Sequence, residues 1–189
     1  APSVGKEAKT RALIAIVLSL LAMVIYLWVR FGNLRYGLGA VASLTHDVCI
    51  ALGLIAVSAF VANTAIGQKL LVGDFKIDLS MIAALLTLVG YSVNDTIVVY
   101  DRIRENRGKL TGLTPQLIND SINQTLSRTI LTSFTTLLAV LIMYIWGGPG
   151  FRGFNYIMTL GIIIGTYSSI GIAAPILIRG RKAKAAVKQ

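Results

Sequence analysis

The sequence predicts an all-α integral membrane protein, a bundle of five transmembrane helices. Of its 189 residues, 55% are hydrophobic and only 14% are charged, and the mean hydropathy is +0.74. A soluble domain carries nearer one quarter charged residues. The apolar residues are also grouped in runs of about 20, the length that crosses about 30 Å of hydrocarbon. The sequence lacks the strict alternation of a transmembrane β-barrel.

Five apolar runs define the predicted spans. They are helical in this prediction because backbone polar groups in lipid must be satisfied within their own segment. Their bounds are 12–29, 37–62, 79–100, 130–146 and 154–178. Residues 101–129 are predicted to form a cytoplasmic linker and an interfacial helix. Gly108 should end the preceding helix, and Thr114 and Pro115 have the residue types of an N-cap and a first helical position.

The basic residues predict the orientation of the bundle. The net charge is +10, and the segments 30–36, 101–129 and 179–189 carry 12 of the 18 Lys and Arg residues. The positive-inside rule therefore places the C-terminus in the cytoplasm. We expect residues 179–189 to form a basic tail that either rests on anionic lipid or serves only as solubilising charge, and residues 1–11 to lie outside. Charge placed beside spans favours a membrane partner over nucleic acid.

The first residue of the chain is Ala1, not Met. An external N-terminus with no translocation signal before it leads us to expect that a preceding part of the protein is absent from this sequence. We therefore expect a piece of a longer chain.

Asp95 is the main candidate for function, because it lies inside the third apolar span beside Asn94. An ionisable side chain there costs roughly 2.5–3.5 kcal/mol on insertion scales. Such residues usually face a partner, a cavity or an ion path. We therefore predict a proton-relay role for Asp95, with Asn94 beside it.

Arg128 is predicted to pair with Asp95. Asp95 lies roughly 8 Å from the cytoplasmic end of its span, at 1.5 Å per residue. Arg128 lies at the cytoplasmic start of the next, antiparallel span, so the two side chains share one leaflet. The alternative is a static buried ion pair, which says little beyond assembly.

His46 and Asp47 lie roughly 15 Å into the second span, near the middle of the membrane. Histidine titrates close to neutral pH and can pass a proton, although a lone histidine in a helix is more often a packing residue. Asp47 is the stronger relay candidate of the two.

A ridge of small residues on the fifth span predicts helix packing rather than chemistry. Gly161, Gly165, Ser169 and Ala173 recur every four residues, a spacing that allows close backbone contact with another helix. Enzyme and metal motifs are missing, since the sequence has no GxxxxGK(S/T), HExxH or GxSxG. We therefore predict that the protein is not an enzyme and binds no cofactor or metal. Protons are its predicted coupling ion.

Residues 90–107, GYSVNDTIVVYDRIRENR, resemble the signature of the SecF family of protein-export membrane proteins. Further similar motifs follow the family's order from residue 35 to residue 178. They are Thr45-His46-Asp47, Gln124-Thr125-Leu126-Ser127-Arg128-Thr129, Gly147-Gly148-Pro149 and Gly165-Thr166-Tyr167-Ser168-Ser169.

The resemblance implies a membrane bundle of the resistance-nodulation-division superfamily. SecF has six spans and a periplasmic domain after the first, and this chain resembles the last five spans. The family pairs with SecD and assists the SecYEG channel of the bacterial cytoplasmic (inner) membrane. It moves translocating polypeptide by the proton-motive force. The resemblance makes Asp95 the proton-carrying acid, Arg128 its charge partner and Asp47 a further participant.

Two alternatives remain from the sequence. The first is a small-molecule efflux transporter of the same superfamily, although the external loops are too short for large substrate-binding domains. The second is a structural scaffold for the translocase, in which Asp95 and Arg128 would form a static pair.

Overall fold

The computed structural model describes residues 2–108 and 112–178, which contain helices and loops but no strand. The predicted basic tail at 179–189 lies outside the described residues. The helices are α1 (Pro2–Phe31), α2 (Leu34–Val61), α3 (Ala65–Lys69), α4 (Leu79–Arg107), α5 (Pro115–Trp146) and α6 (Pro149–Ser168). A π-helical turn, Ser169–Ala173, then continues α6 towards Ile178.

Four helical segments of the described chain are long and apolar enough to cross a membrane: α2, α4, α5 and Pro149–Ile178. The predicted first span lies within α1, whose described apolar part, Val17–Phe31, is shorter. The fold class predicted from the sequence, an all-α membrane bundle, is confirmed.

Helix α5 begins and helix α4 ends at the residues that the sequence predicts. The side chain of Thr114 accepts a hydrogen bond from the Leu117 backbone N–H at 3.2 Å, and Pro115 is the first residue of α5. These contacts satisfy backbone donors that have no partner within the helix. Gly108 ends α4 with a φ of +46°, a conformation that glycine adopts without steric cost.

The predicted interfacial segment and the fourth predicted span form one continuous helix, α5, from Pro115 to Trp146. No glycine or second proline interrupts that stretch. Its early apolar residues pack on the protein core: Ile118 is buried, and Leu117 and Ile122 contact the same cluster. The first turns of α5 therefore contact the other helices of the bundle through these apolar side chains.

Helix α4 lies at the centre of the bundle, where α1, α2, α5 and α6 all contact it. The small-residue ridge of α6 faces it. A Cβ atom built on Gly161 would lie 2.5 Å from Cδ1 of Leu88, and one built on Gly165 would lie 3.1 Å from Cβ of Ser92. A side chain at Gly161 would require the buried Leu88 side chain to shift, so small residues on this ridge allow α6 to pack closely against α4.

Candidate functional site: a layer of buried carboxyl groups

Asp47 lies between three helices and is 1% exposed. Its Oδ2 accepts hydrogen bonds from the hydroxyl of Ser92 on α4, at 2.5 Å, and from that of Ser168 on α6, at 2.7 Å. These bonds satisfy the acceptor where it is cut off from water, a condition that buried polar groups generally meet. Asp47 therefore ties α2 to both α4 and α6.

Asp95 is 3% exposed and lies where α4 meets α5 and α6. Its Oδ2 accepts from the hydroxyls of Ser133 on α5 and Thr166 on α6, each at 3.3 Å. The two hydroxyls also contact each other at 2.7 Å. Asp95 thus has the same kind of environment as Asp47, built from a different pair of helices.

The two carboxyl groups share one layer of the bundle. Ser92 and Asp95 are three residues apart on α4, so they are neighbours on one helical face. Thr166 and Ser168 reach the two acids from one turn of α6. We call this group the carboxyl layer, which consists of Asp47, Asp95, Ser92, Ser133, Thr166 and Ser168.

The predicted Asp95–Arg128 ion pair is not formed in the described structure. Asp95 contacts hydroxyls instead, and Arg128 is exposed on α5. The buried face of this part of α5 carries Thr125, Thr129 and Ser133. Arg128 precedes Thr129 by one residue, which turns its side chain about 100° away at 3.6 residues per turn. The residue of α5 beside Asp95 is Ser133, five residues beyond Arg128 and roughly 7.5 Å further along the helix at 1.5 Å per residue. Axial position and rotation therefore both separate Arg128 from Asp95.

Asn94 and His46 are less buried than the two acids. Asn94 is exposed on α4, because the neighbour of a buried helical residue points to another face. His46 is half-buried and its Nδ1 lies 3.1 Å from Oδ1 of Asp47. His46 therefore joins the carboxyl layer to the surface of the chain, while Asn94 does not contact it.

Sequence reasoning missed the four hydroxyl side chains that hold the acids. Three of them, Ser92, Thr166 and Ser168, lie within the stretches that carry the family resemblance, so the signal was present. It was not assigned, because serine and threonine in membrane helices often bond only to their own helix. Thr166 does so as well, to the Ile162 carbonyl at 2.8 Å.

The carboxyl layer is suited to hold a proton in either of two states. An ionised carboxylate only accepts hydrogen bonds, whereas a carboxylic acid also donates one. A hydroxyl group can rotate to meet both needs because it donates and accepts. The described residues contain no group of three or more His, Cys, Asp and Glu side chains that could hold a metal ion.

Replacing Ser168 by alanine is expected to destabilise the protein through Asp47. Asp47 would keep Ser92 but lose its bond across to α6, at a cost of about 1–3 kcal/mol for a buried acceptor that loses a donor. The matched control is Ser43→Ala, since the Ser43 side chain is equally buried but its hydroxyl has no hydrogen-bond partner.

Thermal unfolding of the full-length protein in detergent measures this difference. We expect a lower melting temperature for Ser168→Ala than for Ser43→Ala. Equal melting temperatures would show that the Ser168–Asp47 bond contributes nothing to stability.

These features define a polytopic α-helical membrane protein with carboxyl groups buried between its helices. The chain belongs to the family described as protein export membrane protein SecD/SecF, C-terminal, which matches residues 1–183. The resemblance inferred from its motifs is therefore confirmed.

Individual relatives agree with this assignment. The chain is 50% identical over 192 residues to protein translocase subunit SecF of Koribacter versatilis, covering 98% of this chain and 44% of the relative. It is 48% identical over 178 residues to SecF of Rickettsia bellii, covering 93% and 53%. The chain thus spans about half the length of the curated relatives that it matches.

The fold is also that of a solved membrane protein. A crystal structure of SecDF from a Thermus species matches with a TM-score of 0.80 and 38% identity, over 96% of this chain and 23% of that one. A second SecDF structure, in a super-membrane-facing form, matches with a TM-score of 0.77 over the same shares.

Proposed function

We propose that this chain is the membrane part of a SecF-type subunit that assists polypeptide translocation across a bacterial membrane. Family membership, the names of the relatives and the SecDF fold support the proposal. Those names describe translocase subunits rather than enzymes or small-molecule exporters, which favours export over the efflux alternative.

The second part of the proposal is that translocation is coupled to protons, with Asp95 as the proton-binding residue. The observation is a carboxyl group, almost fully buried in the bundle, whose hydrogen-bond partners in the described structure are the two hydroxyls from α5 and α6. A buried carboxyl group in a membrane helix is costly and typically marks an ion path. Hydroxyl partners support proton exchange because they can serve both protonation states.

Protonation of Asp95 would be linked to helix position. Its hydrogen-bond donors belong to α5 and α6, so a change in the charge of Asp95 changes the contacts that hold these helices to α4. A proton that binds one helix arrangement better than another shifts the population towards that arrangement. The membrane potential supplies about 2.3 kcal/mol per proton per 100 mV, enough to bias such an equilibrium.

The proposed setting follows from the family and from charge. We place the subunit in the bacterial cytoplasmic membrane beside a SecD-type partner, with the SecYEG channel supplying the translocating polypeptide. The excess of Lys and Arg at one end of the bundle supports a cytoplasmic C-terminus.

Polypeptide export into inverted membrane vesicles tests the function. Vesicles with the full complex are compared with vesicles that lack only the full-length protein, each with and without a protonophore. We expect the protein to accelerate export, and the protonophore to remove that acceleration while leaving the basal rate of the channel. Acceleration that survives the protonophore would reject proton coupling, and no acceleration would reject the role in export.

A further inference from the structure

Three side chains on α4 and α6 have buried polar atoms without a hydrogen-bond partner. Asn155 on α6 is 1% exposed, and both its side-chain nitrogen and its side-chain oxygen lack a partner among the described residues. The hydroxyl oxygens of Thr159 on α6 and Tyr91 on α4 are also buried and also lack a partner there. Buried polar groups that find no protein partner are typically satisfied by ordered water.

These side chains lie on the helix faces that reach Asp95. Asn155, Thr159 and Thr166 are spaced by four and seven residues, so they share one face of α6. Thr166 donates a hydrogen bond to Asp95, and Asn155 and Thr159 continue the same face towards the start of α6. Tyr91 precedes Asp95 by four residues and therefore shares its face of α4.

The hydroxyl groups of Tyr91 and Thr159 come to similar depths in the bundle. The contacts of the small-residue ridge show that α4 and α6 run parallel, with Gly165 opposite Ser92. Ile164 is therefore level with Tyr91. A long side chain in a helix points back over the preceding turn, which brings the Tyr91 hydroxyl near the level of Thr159. The unpartnered groups thus form a row from Asn155 to the turn of α4 that precedes Asp95.

The other end of this row approaches the surface of the bundle. Asn155 is five residues, or roughly 7.5 Å along the helix, from Gly150, which is exposed. Arg152 lies between them and is half-buried. The orientation proposed from the basic residues places this end of α6 outside.

We propose that Asn155, Thr159 and Tyr91 bind a row of water molecules that carries protons between the outer end of α6 and Asp95. Water suits these groups because an amide and a hydroxyl can each donate and accept a hydrogen bond. They can therefore hold water in either direction of the hydrogen-bonded row. The transfer of protons rests on the proposed function of Asp95, whereas the binding of water does not.

Hydroxyl-radical footprinting of the full complex in membranes tests for this water. X-rays generate radicals from water, the radicals oxidise adjacent side chains, and mass spectrometry locates the oxidised residues. We expect oxidation of Tyr91 but not of Tyr100, a buried tyrosine of the same helix whose hydroxyl donates to the Ala173 carbonyl. Asn155→Leu should lower the oxidation of Tyr91. Protection of Tyr91 equal to that of Tyr100 would overturn the proposal.

Two substitutions of Thr159 test whether this water carries protons. Thr159→Val keeps the shape of the side chain but removes the hydroxyl, whereas Thr159→Ser keeps the hydroxyl. In inverted vesicles with the full complex, we expect Thr159→Val to lose most of the proton-dependent component of export and Thr159→Ser to retain it. Normal proton-dependent export by Thr159→Val would overturn the proton path, even where Tyr91 is oxidised. Export without any proton-dependent component in the unchanged protein would instead contradict the role of Asp95, and the oxidation of Tyr91 would still decide whether the row binds water.

Discussion

The Asp95→Asn variant is expected to lose the entire proton-dependent component of export while keeping its fold. Asparagine has the shape of aspartate but cannot bind and release a proton near neutral pH. Its amide can still bond to Ser133 and Thr166, because each hydroxyl donates or accepts. A loss of proton-dependent export in this variant would therefore result from the lost proton binding and not from altered packing. Export in inverted vesicles carrying the full complex, with and without a protonophore, measures it.

Asp101→Asn is the control for this prediction. It removes a carboxylate from the same helix, but from an exposed pair with Arg30. Exposed pairs contribute only about 0–1 kcal/mol, so this variant should export normally. Normal proton-dependent export by Asp95→Asn would instead make Asp95 a structural residue, and the scaffold interpretation would then be favoured.

The sequence was sufficient to find the two acids, and physical reasons explain why it could not find their partners. Asp47 and Asp95 stand out because an ionisable side chain within an apolar run is costly to insert into a membrane. This cost does not depend on the exact residues at which the helix begins and ends. A hydroxyl in the same run costs little, so Ser133 has no comparable signal. The acids also fix only depth along the bundle. The choice between Arg128 and Ser133 as a neighbour of Asp95 depends on both the axial position and the rotation of α5, since the two residues lie roughly 7.5 Å apart along it, and tertiary packing sets both.

The π-helical turn at Ser169–Ala173 was equally hidden from sequence reasoning. It follows Ser168 directly, and the carbonyl of Ala173 accepts a hydrogen bond from the Tyr100 hydroxyl at 3.0 Å. Such turns are rare and often occur at functional sites. They arise from a local rearrangement of hydrogen bonds within a helix. The spacing of apolar residues in the sequence does not change at such a turn, so it gives no sign of it.

Replacing Gly165 by leucine should disrupt both stability and proton coupling, since this glycine lets α6 reach both acids. A Cβ atom there would lie 3.1 Å from Cβ and 3.4 Å from Cα of Ser92, so the contact includes backbone. Extra carbon atoms would push α6 away from α4 and lengthen the bonds from Thr166 to Asp95 and from Ser168 to Asp47. Overpacking of this kind costs about 1–3 kcal/mol.

Gly53→Leu is the matched control, because a Cβ built on Gly53 would have no atom of another helix within 4 Å. Thermal unfolding and proton-dependent export of the full complex should both be impaired by Gly165→Leu and unchanged by Gly53→Leu. Gly165→Ala should fall between them, since Ser92 need shift by only a few tenths of an ångström. A graded loss across alanine and leucine would tie export to the distance between α4 and α6. A loss of stability without loss of coupling would mean that the carboxyl layer tolerates displacement of α6, and that Asp95 exchanges its proton without Thr166.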